Sequence, residues 1–128
     1  LQSDLVALCE CALDGNLDTA GADWDPRSAI GVVLAAGGYP GDYGRGHPIH
    51  GLDAPQPDGV KIFHAGTTLR DGQVVTNGGR VLCVTALGED IAAAQRACYL
   101  AVEKISWEGM TLRHDIGWRA VARYSPGQ

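Results

Sequence analysis

The sequence predicts an α+β domain, with a mainly antiparallel sheet and two helices. Apolar residues recur at helical spacing in two segments, residues 5–13 and 89–105. Between them lie apolar runs of strand length, separated by Asp71-Gly72 and Asn77-Gly78, the residue pairs that tight hairpin turns demand. The length of 128 residues is usual for one domain.

The first helix is predicted over residues 5–13 as a short amphipathic segment. Ser3 is placed to cap its start, and Gly15 to close its end. Residues 16–28 are rich in Asp and Gly, which predicts a connecting loop, and we expect Trp24 to anchor that loop.

The strands follow. A continuous apolar run that includes β-branched residues, at 29–36, is typical of a strand buried on both faces. A brief strand is predicted at 47–51. Three further segments are separated by the two turns and predict a three-stranded antiparallel meander: residues 60–68, 73–76 and 80–87.

The long second helix is predicted over residues 89–105, with one apolar stripe made of Ile91, Ala94, Cys98, Val102 and Ile105. Gly109 marks the exit from this helix. Residues 116–123 predict a final strand, and residues 125–128 a loose tail.

Composition excludes several classes of protein. The net charge is −5, from 10 Lys and Arg against 15 Asp and Glu, with the two signs interspersed, which argues against a nucleic-acid partner. No apolar run approaches the roughly 20 residues that span a bilayer, and no charged head followed by an apolar stretch marks a signal peptide, so we expect a soluble, cytoplasmic protein without membrane contact. The sequence opens at Leu1 instead of Met, so we expect a piece of a longer chain. The four cysteines lack C-x-x-C spacing and are expected to be reduced, mostly buried thiols.

Two loops carry residues suited to anion binding. The Gly-rich loop at 37–46 matches neither of the formal nucleotide-binding motifs, and a turn whose glycines supply positive φ is its alternative. Asn77, Gly78, Gly79 and Arg80 present consecutive backbone N–H groups and a guanidinium, whereas the alternative is a plain hairpin turn. The His, Cys and Ser residues show no metal-ligand spacing and no nucleophile motif, so neither a metal site nor a catalytic residue is predicted.

Five motifs in order resemble the C-terminal domain of the glycinamide ribonucleotide synthetases, the phosphoribosylamine-glycine ligases of the ATP-grasp superfamily. The resemblance extends from residue 3 to about residue 123, and it is carried by GGYPGDY at 37–43, KIFHAGTTL at 61–69, VVTNGGRVLCVTALGEDI at 74–91, AQRACYLAVEKISWEGM at 94–110 and RHDIGWRA at 113–120. It implies a closing domain of ATP-grasp ligases, of the rudiment single hybrid motif type. On this basis residues 1–15 are the last helix of a truncated ATP-grasp core, 16–28 a connecting loop, 29–124 the C-terminal domain and 125–128 a tail.

The resemblance also implies an ATP-dependent carbon-nitrogen ligase. The family joins glycine to 5-phosphoribosylamine in de novo purine biosynthesis, with ATP hydrolysed to ADP and phosphate. ATP and Mg²⁺ are expected to bind mainly to the missing upstream ATP-grasp domains, so the fragment alone is expected to be inactive. The alternative is a free-standing, non-catalytic interaction or small-anion-binding module derived from that domain. An exposed apolar face would weigh against this alternative.

The substrate-binding residues are implied by matching the family motifs residue by residue. Tyr39, Pro40 and Gly41 match the GYPG loop, and Asn77, Gly78, Gly79 and Arg80 match the TNGGRV segment. We assign Arg80 to a phosphate or carboxylate, and His64 and Thr67 to a polar wall beside it. Asp115 and Gly117 are assigned to the neighbouring rim, with a structural role for Asp115 inside its own loop as the alternative.

Overall fold

Five strands and three helices make up residues 1–124, the part of the chain that the computed structural model describes. In chain order they are α1 Leu5–Leu13, β1 Ser28–Ala35, β2 Val60–His64, β3 Thr67–Arg70, β4 Gln73–Thr76, β5 Arg80–Gly88, α2 Ile91–Val102 and α3 Trp118–Tyr124, with a short 3-10 helix at Leu17–Thr19. The α+β class is confirmed, with three helices in place of the expected two. The predicted tail, residues 125–128, lies outside the described residues.

The main sheet has the strand order β1-β5-β2, and both pairings are antiparallel. Val84 in the central strand lies opposite Val32 on one side and Ile62 on the other. The predicted meander is therefore wrong, because β5 pairs with β1 and β2 while β3 and β4 form a separate two-stranded sheet. In this arrangement the apolar central strand β5 has a paired strand on each side. Local turn signals do not reveal such a pairing.

The β3–β4 hairpin confirms the first predicted turn. Asp71 and Gly72 both have positive φ, 51° and 78°, as a type I′ turn requires. The second predicted turn, at Asn77-Gly78, is wrong as a hairpin. The Asn77 N–H donates to the Gly66 carbonyl at 2.7 Å, and the chain then enters β5 without pairing it to β4.

One face of the main sheet holds the core, and α2 covers it. Along β1 the side chains of Val32 and Leu34 are fully buried, whereas Val33 between them is 42% exposed. The prediction of a strand buried on both faces is therefore wrong. The second face of the sheet is uncovered within residues 1–124 and carries exposed apolar side chains, among them Phe63. The brief strand expected at 47–51 appears only as two isolated bridges.

Helix α2 packs its apolar stripe on the sheet as predicted, with Ala94, Cys98 and Val102 buried. It begins later than predicted because Asp90 caps it, accepting a hydrogen bond from the Ala93 N–H at 2.6 Å. The C-terminal segment is a helix, α3, so the strand predicted at 116–123 is wrong. The pattern WRAVARY lacks turn residues and fits either period, and tertiary contacts with α2 decide in favour of the helix.

Helix α1 begins at a different cap from the predicted one. The Asp4 carboxylate accepts hydrogen bonds from the N–H groups of Val6 and Ala7, at 2.8 and 3.3 Å. Ser3 instead accepts a hydrogen bond from the Asp23 N–H at 2.7 Å, which ties the start of the chain to the connecting loop. A carboxylate in this position also complements the helix dipole, so aspartate is favoured as the cap.

The N-terminal segment leaves its apolar residues uncovered. Gly15, with φ of 73°, ends α1 as predicted. None of the α1 side chains is buried, and Leu13 is 87% exposed. Trp24 is 70% exposed, so the expectation that it anchors the loop is wrong. The periodicity correctly predicts a helix at α1, but nothing within residues 1–124 covers its apolar side chains.

The four cysteines are free thiols in different environments. Cys98 is buried beneath the sheet and donates its S–H to the Val84 carbonyl at 3.2 Å. Cys9 is exposed, and Cys11 and Cys83 are partly exposed, so the expectation of mostly buried thiols is wrong. Burial raises the pKa of the Cys98 thiol to about 11, because the thiolate would lose its hydration.

This shift predicts a loss of stability at alkaline pH. In the unfolded chain the thiol ionises near its ordinary pKa of 9.0, whereas in the folded chain it stays protonated until about 11. The unfolded state therefore loses the proton first, and the free energy of unfolding falls as the pH rises from 9 to 11, by at most about 3 kcal/mol. Urea unfolding across this range measures the fall. Cys98→Ala should flatten the profile, and an unchanged slope in that variant would contradict the assignment.

Candidate functional site

Three of the segments predicted to bind substrate meet just beyond the end of β1. Two hydrogen bonds join them. The Ala36 N–H donates to the Gly79 carbonyl at 2.8 Å, and the Gly66 N–H donates to the Arg80 carbonyl at 2.9 Å. The loop that follows β1, the link between β2 and β3, and the link between β4 and β5 therefore form one cluster.

Two of these links touch through glycines. A Cβ atom built on Gly66 would lie 2.7 Å from the Gly78 Cα, and one on Gly78 would lie 2.9 Å from the Gly66 Cα. Real Cβ atoms do not approach this closely, so the two backbones pack directly on each other. Gly66 is absent from the predicted set. The signal that identifies it is a glycine inside a strand pattern, which often marks close backbone approach.

The Tyr39 side chain covers the second glycine of the pair Gly78-Gly79. A Cβ atom on Gly79 would overlap the Tyr39 ring, so the ring lies directly over the Gly79 Cα. The Tyr39 N–H donates to the Ala36 carbonyl at 3.1 Å, which holds the turn, and the peptide bond before Pro40 is cis. Pro40 and Gly41 are exposed farther out on the same loop.

A pocket of about 510 Å³ opens beside these contacts on the uncovered face of the sheet. Its lining is mostly apolar and consists of Val33, Tyr39, Ala65, Gly79, Arg80, Leu82 and Cys83. Arg80 supplies the charge, and within residues 1–124 no carboxylate forms an ion pair with it. In the same part of the chain, the N–H groups of Gly78 and Gly79 donate to no other residue. A guanidinium and backbone N–H groups in one place are suited to an anionic group.

His64 and Thr67 flank this region as a bonded pair. His64 ends β2 and Thr67 begins β3, and the His64 Nδ1 lies 3.0 Å from the Thr67 Oγ1. His64 precedes and Thr67 follows Ala65 and Gly66, and these two residues contact the Arg80 segment. The hydroxyl fixes the orientation of the imidazole, and which atom donates depends on the tautomer.

Asp115 and Gly117 lie elsewhere. Gly117 packs against the Ile30 side chain, near the start of β1, whereas the Arg80 segment meets the far end of that strand. The Asp115 carboxylate accepts two hydrogen bonds from Arg113, at 2.9 and 2.7 Å, and this pairing lowers the pKa of Asp115. The structure does not bring these two residues to Arg80, and the contacts of Asp115 favour its structural alternative.

Residues 1–124 contain no cluster typical of a metal site and no membrane-spanning helix. In the described part of the chain, His, Cys, Asp and Glu side chains form no group of three that would hold a metal ion. The His47 Nδ1 lies 3.6 Å from a carboxylate oxygen of Glu108 at the surface. Among residues 1–124, no helix has the length and apolar character to cross a membrane.

Comparison with known proteins decides the family. Residues 29–119 match the family model described as phosphoribosylglycinamide synthetase, C domain. The chain belongs to this family. The match spans every residue that was assigned to the substrate site, from Tyr39 to Gly117. It therefore confirms the resemblance drawn from the five motifs.

Individual relatives match a larger part of the chain than the family model does. The phosphoribosylamine-glycine ligase of Vibrio cholerae is 58% identical over 123 residues, which are 96% of this chain and 29% of the relative. The corresponding ligase of Pseudomonas aeruginosa is 60% identical over 124 residues, with the same coverage. The crystal structure of phosphoribosylamine-glycine ligase from Thermotoga maritima matches with a TM-score of 0.65 and 37% identity, covering 84% of this chain and 27% of that one. The chain thus spans less than a third of the length of these relatives.

Proposed function

We propose that this chain acts as the C domain of a phosphoribosylamine-glycine ligase. The observation that carries the proposal is the meeting of three family motifs around one pocket, whose Arg80 has no carboxylate partner within residues 1–124. GYPG, HAGTT and NGGR are separated in sequence, yet hydrogen bonds and close glycine contacts bring them together at the end of β1. Because their junction carries the exposed Arg80 side chain and the backbone N–H groups of Gly78 and Gly79, we assign it to an anionic substrate.

The reaction of such an enzyme joins glycine to 5-phosphoribosylamine with ATP. The terminal phosphoryl group of ATP passes to the glycine carboxylate and leaves ADP. The amine of phosphoribosylamine then attacks the carbonyl carbon of the acyl phosphate and releases phosphate. Both organic substrates carry an anionic group, and the acyl phosphate must be protected from water.

Within this reaction we assign binding and coverage to this chain, and no catalytic residue. Arg80 would hold either the phosphate of phosphoribosylamine or the carboxylate of glycine, with the His64–Thr67 pair as the adjacent polar wall. The Tyr39, Pro40 and Gly41 loop would close over it. Asp115 and Gly117 would shape a more distant rim.

ATP and magnesium are assigned mainly to the upstream ATP-grasp domains. When bound, magnesium would neutralise charge on the ATP phosphates. The residues described in this chain form no group of three His, Cys, Asp or Glu side chains that could hold a metal ion, so we assign no metal ligand to them. We place the complete enzyme in the cytoplasm, in de novo purine biosynthesis.

Exposed apolar surfaces support the proposal that this domain works inside a larger enzyme. Leu5, Val6 and Leu13 of α1 are 62%, 67% and 87% exposed, and the free face of the main sheet presents Val33 and Phe63. A free-standing module would carry polar residues at such places. We propose that residues 1–15 belong to the ATP-grasp core, that residues 16–28 are the connecting loop, and that residues 29–124 form the C domain.

A chimeric ligase tests this function. The region of the Pseudomonas ligase upstream of its match would be joined to residues 1–128 of this chain. We expect ADP formation that requires both glycine and phosphoribosylamine, because this chain is 60% identical over 124 residues to the part of the Pseudomonas ligase that it replaces. The upstream region alone and this chain alone should both be inactive.

The intact Pseudomonas ligase is the positive control for the chimera. A folded chimera that forms no ADP would contradict the role of C domain. ADP formation by the isolated 128-residue chain would contradict the assignment of catalysis to the upstream domains.

A further inference from the structure

Tyr43 lies outside the residues assigned to substrate binding, yet it connects the site to the core. Its side chain is half-buried and packs against the hydrophobic core of the domain. Its ring meets the Tyr39 ring edge to face, with centroids 6.1 Å apart and planes at 61°. Aromatic pairs favour this arrangement over a stacked sandwich, so Tyr43 holds the Tyr39 ring from behind.

Both rings lie on the backbone that precedes Arg80. A Cβ atom on Gly79 would overlap the Tyr39 ring and would also lie 3.1 Å from Cε1 of Tyr43. On the other side, Gly78 is packed against Gly66. The two residues before Arg80 are therefore held between the tyrosine pair and the link between β2 and β3.

The outer face of Tyr43 is held as well. The Arg45 guanidinium lies over the Tyr43 ring, 5.6 Å from its centroid, at cation–π distance. The Tyr43 ring is thus fixed by the core, by Tyr39 and by Arg45. Arg80 is exposed and has many rotamers, so the part of its position that the protein controls is its backbone.

We propose that Tyr43 is a positioning residue for Arg80: through Tyr39 and Gly79 it fixes the backbone from which the guanidinium reaches an anionic substrate. The inference rests on the proposed function, since it assumes that Arg80 binds the phosphate of phosphoribosylamine or the carboxylate of glycine. When the Tyr43 ring is removed, Arg80 is still present, but its guanidinium samples a wider range of positions. Affinity for the anionic substrate falls, while the chemical step keeps its rate.

The test uses the chimeric ligase and compares Tyr43→Leu, Arg80→Ala and the double variant. Arg80→Ala should raise the KM of one substrate, phosphoribosylamine or glycine, by about 10- to 100-fold, and so identifies which anion it holds. Tyr43→Leu should raise the KM of that same substrate by about two- to tenfold, with kcat unchanged, as expected for loss of one aromatic pair. The double variant should match Arg80→Ala alone, because Tyr43 acts through Arg80.

Two controls separate positioning from folding. Tyr43→Phe keeps the ring and should keep the wild-type KM. Val60→Ala trims a partly buried side chain packed on the same core and should lower the melting temperature without changing KM. If Tyr43→Leu does not fold, Gly79→Ala provides the second variant, since its methyl group overlaps the Tyr39 ring and crowds the Tyr43 ring while both side chains remain present. It should raise the same KM, with no further rise in the Arg80→Ala background.

Three results would overturn the inference in an active chimera. They are a wild-type KM in Tyr43→Leu beside a raised KM in Arg80→Ala, effects of the two substitutions that multiply in the double variant, and an Arg80→Ala variant with unchanged KM. An inactive wild-type chimera contradicts the proposed function itself, and the inference falls with it.

Discussion

Leu34→Ala is expected to lower the free energy of unfolding by about 2–5 kcal/mol, a large part of the stability of a small domain. Leu34 is the largest fully buried side chain of β1, with no exposed surface, and β1 packs against both β5 and α2. Removing three carbon atoms costs the transfer free energy of those atoms and leaves a cavity, because two regular elements cannot collapse into the space.

The matched control is Val33→Ala on the opposite face of the same strand. Val33 is 42% exposed, and no element within residues 1–124 packs over it, so we expect a loss below about 1 kcal/mol. Urea unfolding, followed by tryptophan fluorescence to which the buried Trp107 contributes, measures both variants. Equal losses from the two substitutions would show that the second face of the sheet is covered in solution.

The same pair of residues shows what the sequence could predict of the fold. The continuous apolar run at 29–36 correctly indicates a strand, but it does not distinguish burial on two faces from burial on one. Asp71-Gly72 predicts its hairpin correctly because turn geometry is decided by those two residues alone. The insertion of β5 between β1 and β2 depends on pairing between distant segments, and local patterns do not contain that information.

For the candidate site, the sequence predicts segments better than their arrangement. The family motifs identify three segments that the structure brings together, through Tyr39, Gly66 and the Gly78-Gly79 pair. Asp115 and Gly117 share the same family match, but Gly117 packs against Ile30 near the start of β1 and Asp115 pairs with Arg113, in the segment that leads into α3. A residue can belong to a family motif because it forms a structural turn or because it binds a ligand. The motif alone does not distinguish these two roles.

The contribution of Tyr43 is harder to find from sequence. A tyrosine four residues after Tyr39 in a Gly-rich loop carries no periodic signal, since the loop has no regular structure. Only the close approach of both rings to Gly79 connects it with Arg80. Position 79 requires glycine because a side chain has no space there, although its φ does not require glycine. The space is occupied by the two tyrosine rings, about forty positions away in the sequence.

Gly38→Ala is expected to reduce kcat/KM of the chimeric ligase by about 100-fold, the scale of loss that displacement of a positioning loop produces. Gly38 has φ of 93°, and a Cβ atom there would overlap the Asp42 carbonyl oxygen, so the turn that carries Tyr39 must open. Once it opens, the Tyr39 ring leaves Gly79, and the backbone before Arg80 loses its cover.

Gly72→Ala at the tip of the β3–β4 hairpin is the matched control for Gly38→Ala. Its φ of 78° is also positive, so alanine meets a comparable backbone cost of about 1–2 kcal/mol, but nothing lies within 4 Å of its Cβ position. We expect kcat/KM within about twofold of wild type for this variant, since the tip lies outside the site. The comparison therefore isolates the overlap with Asp42 from the cost of positive φ. Wild-type kcat/KM in Gly38→Ala would mean that the position of the Tyr39 loop does not control the site.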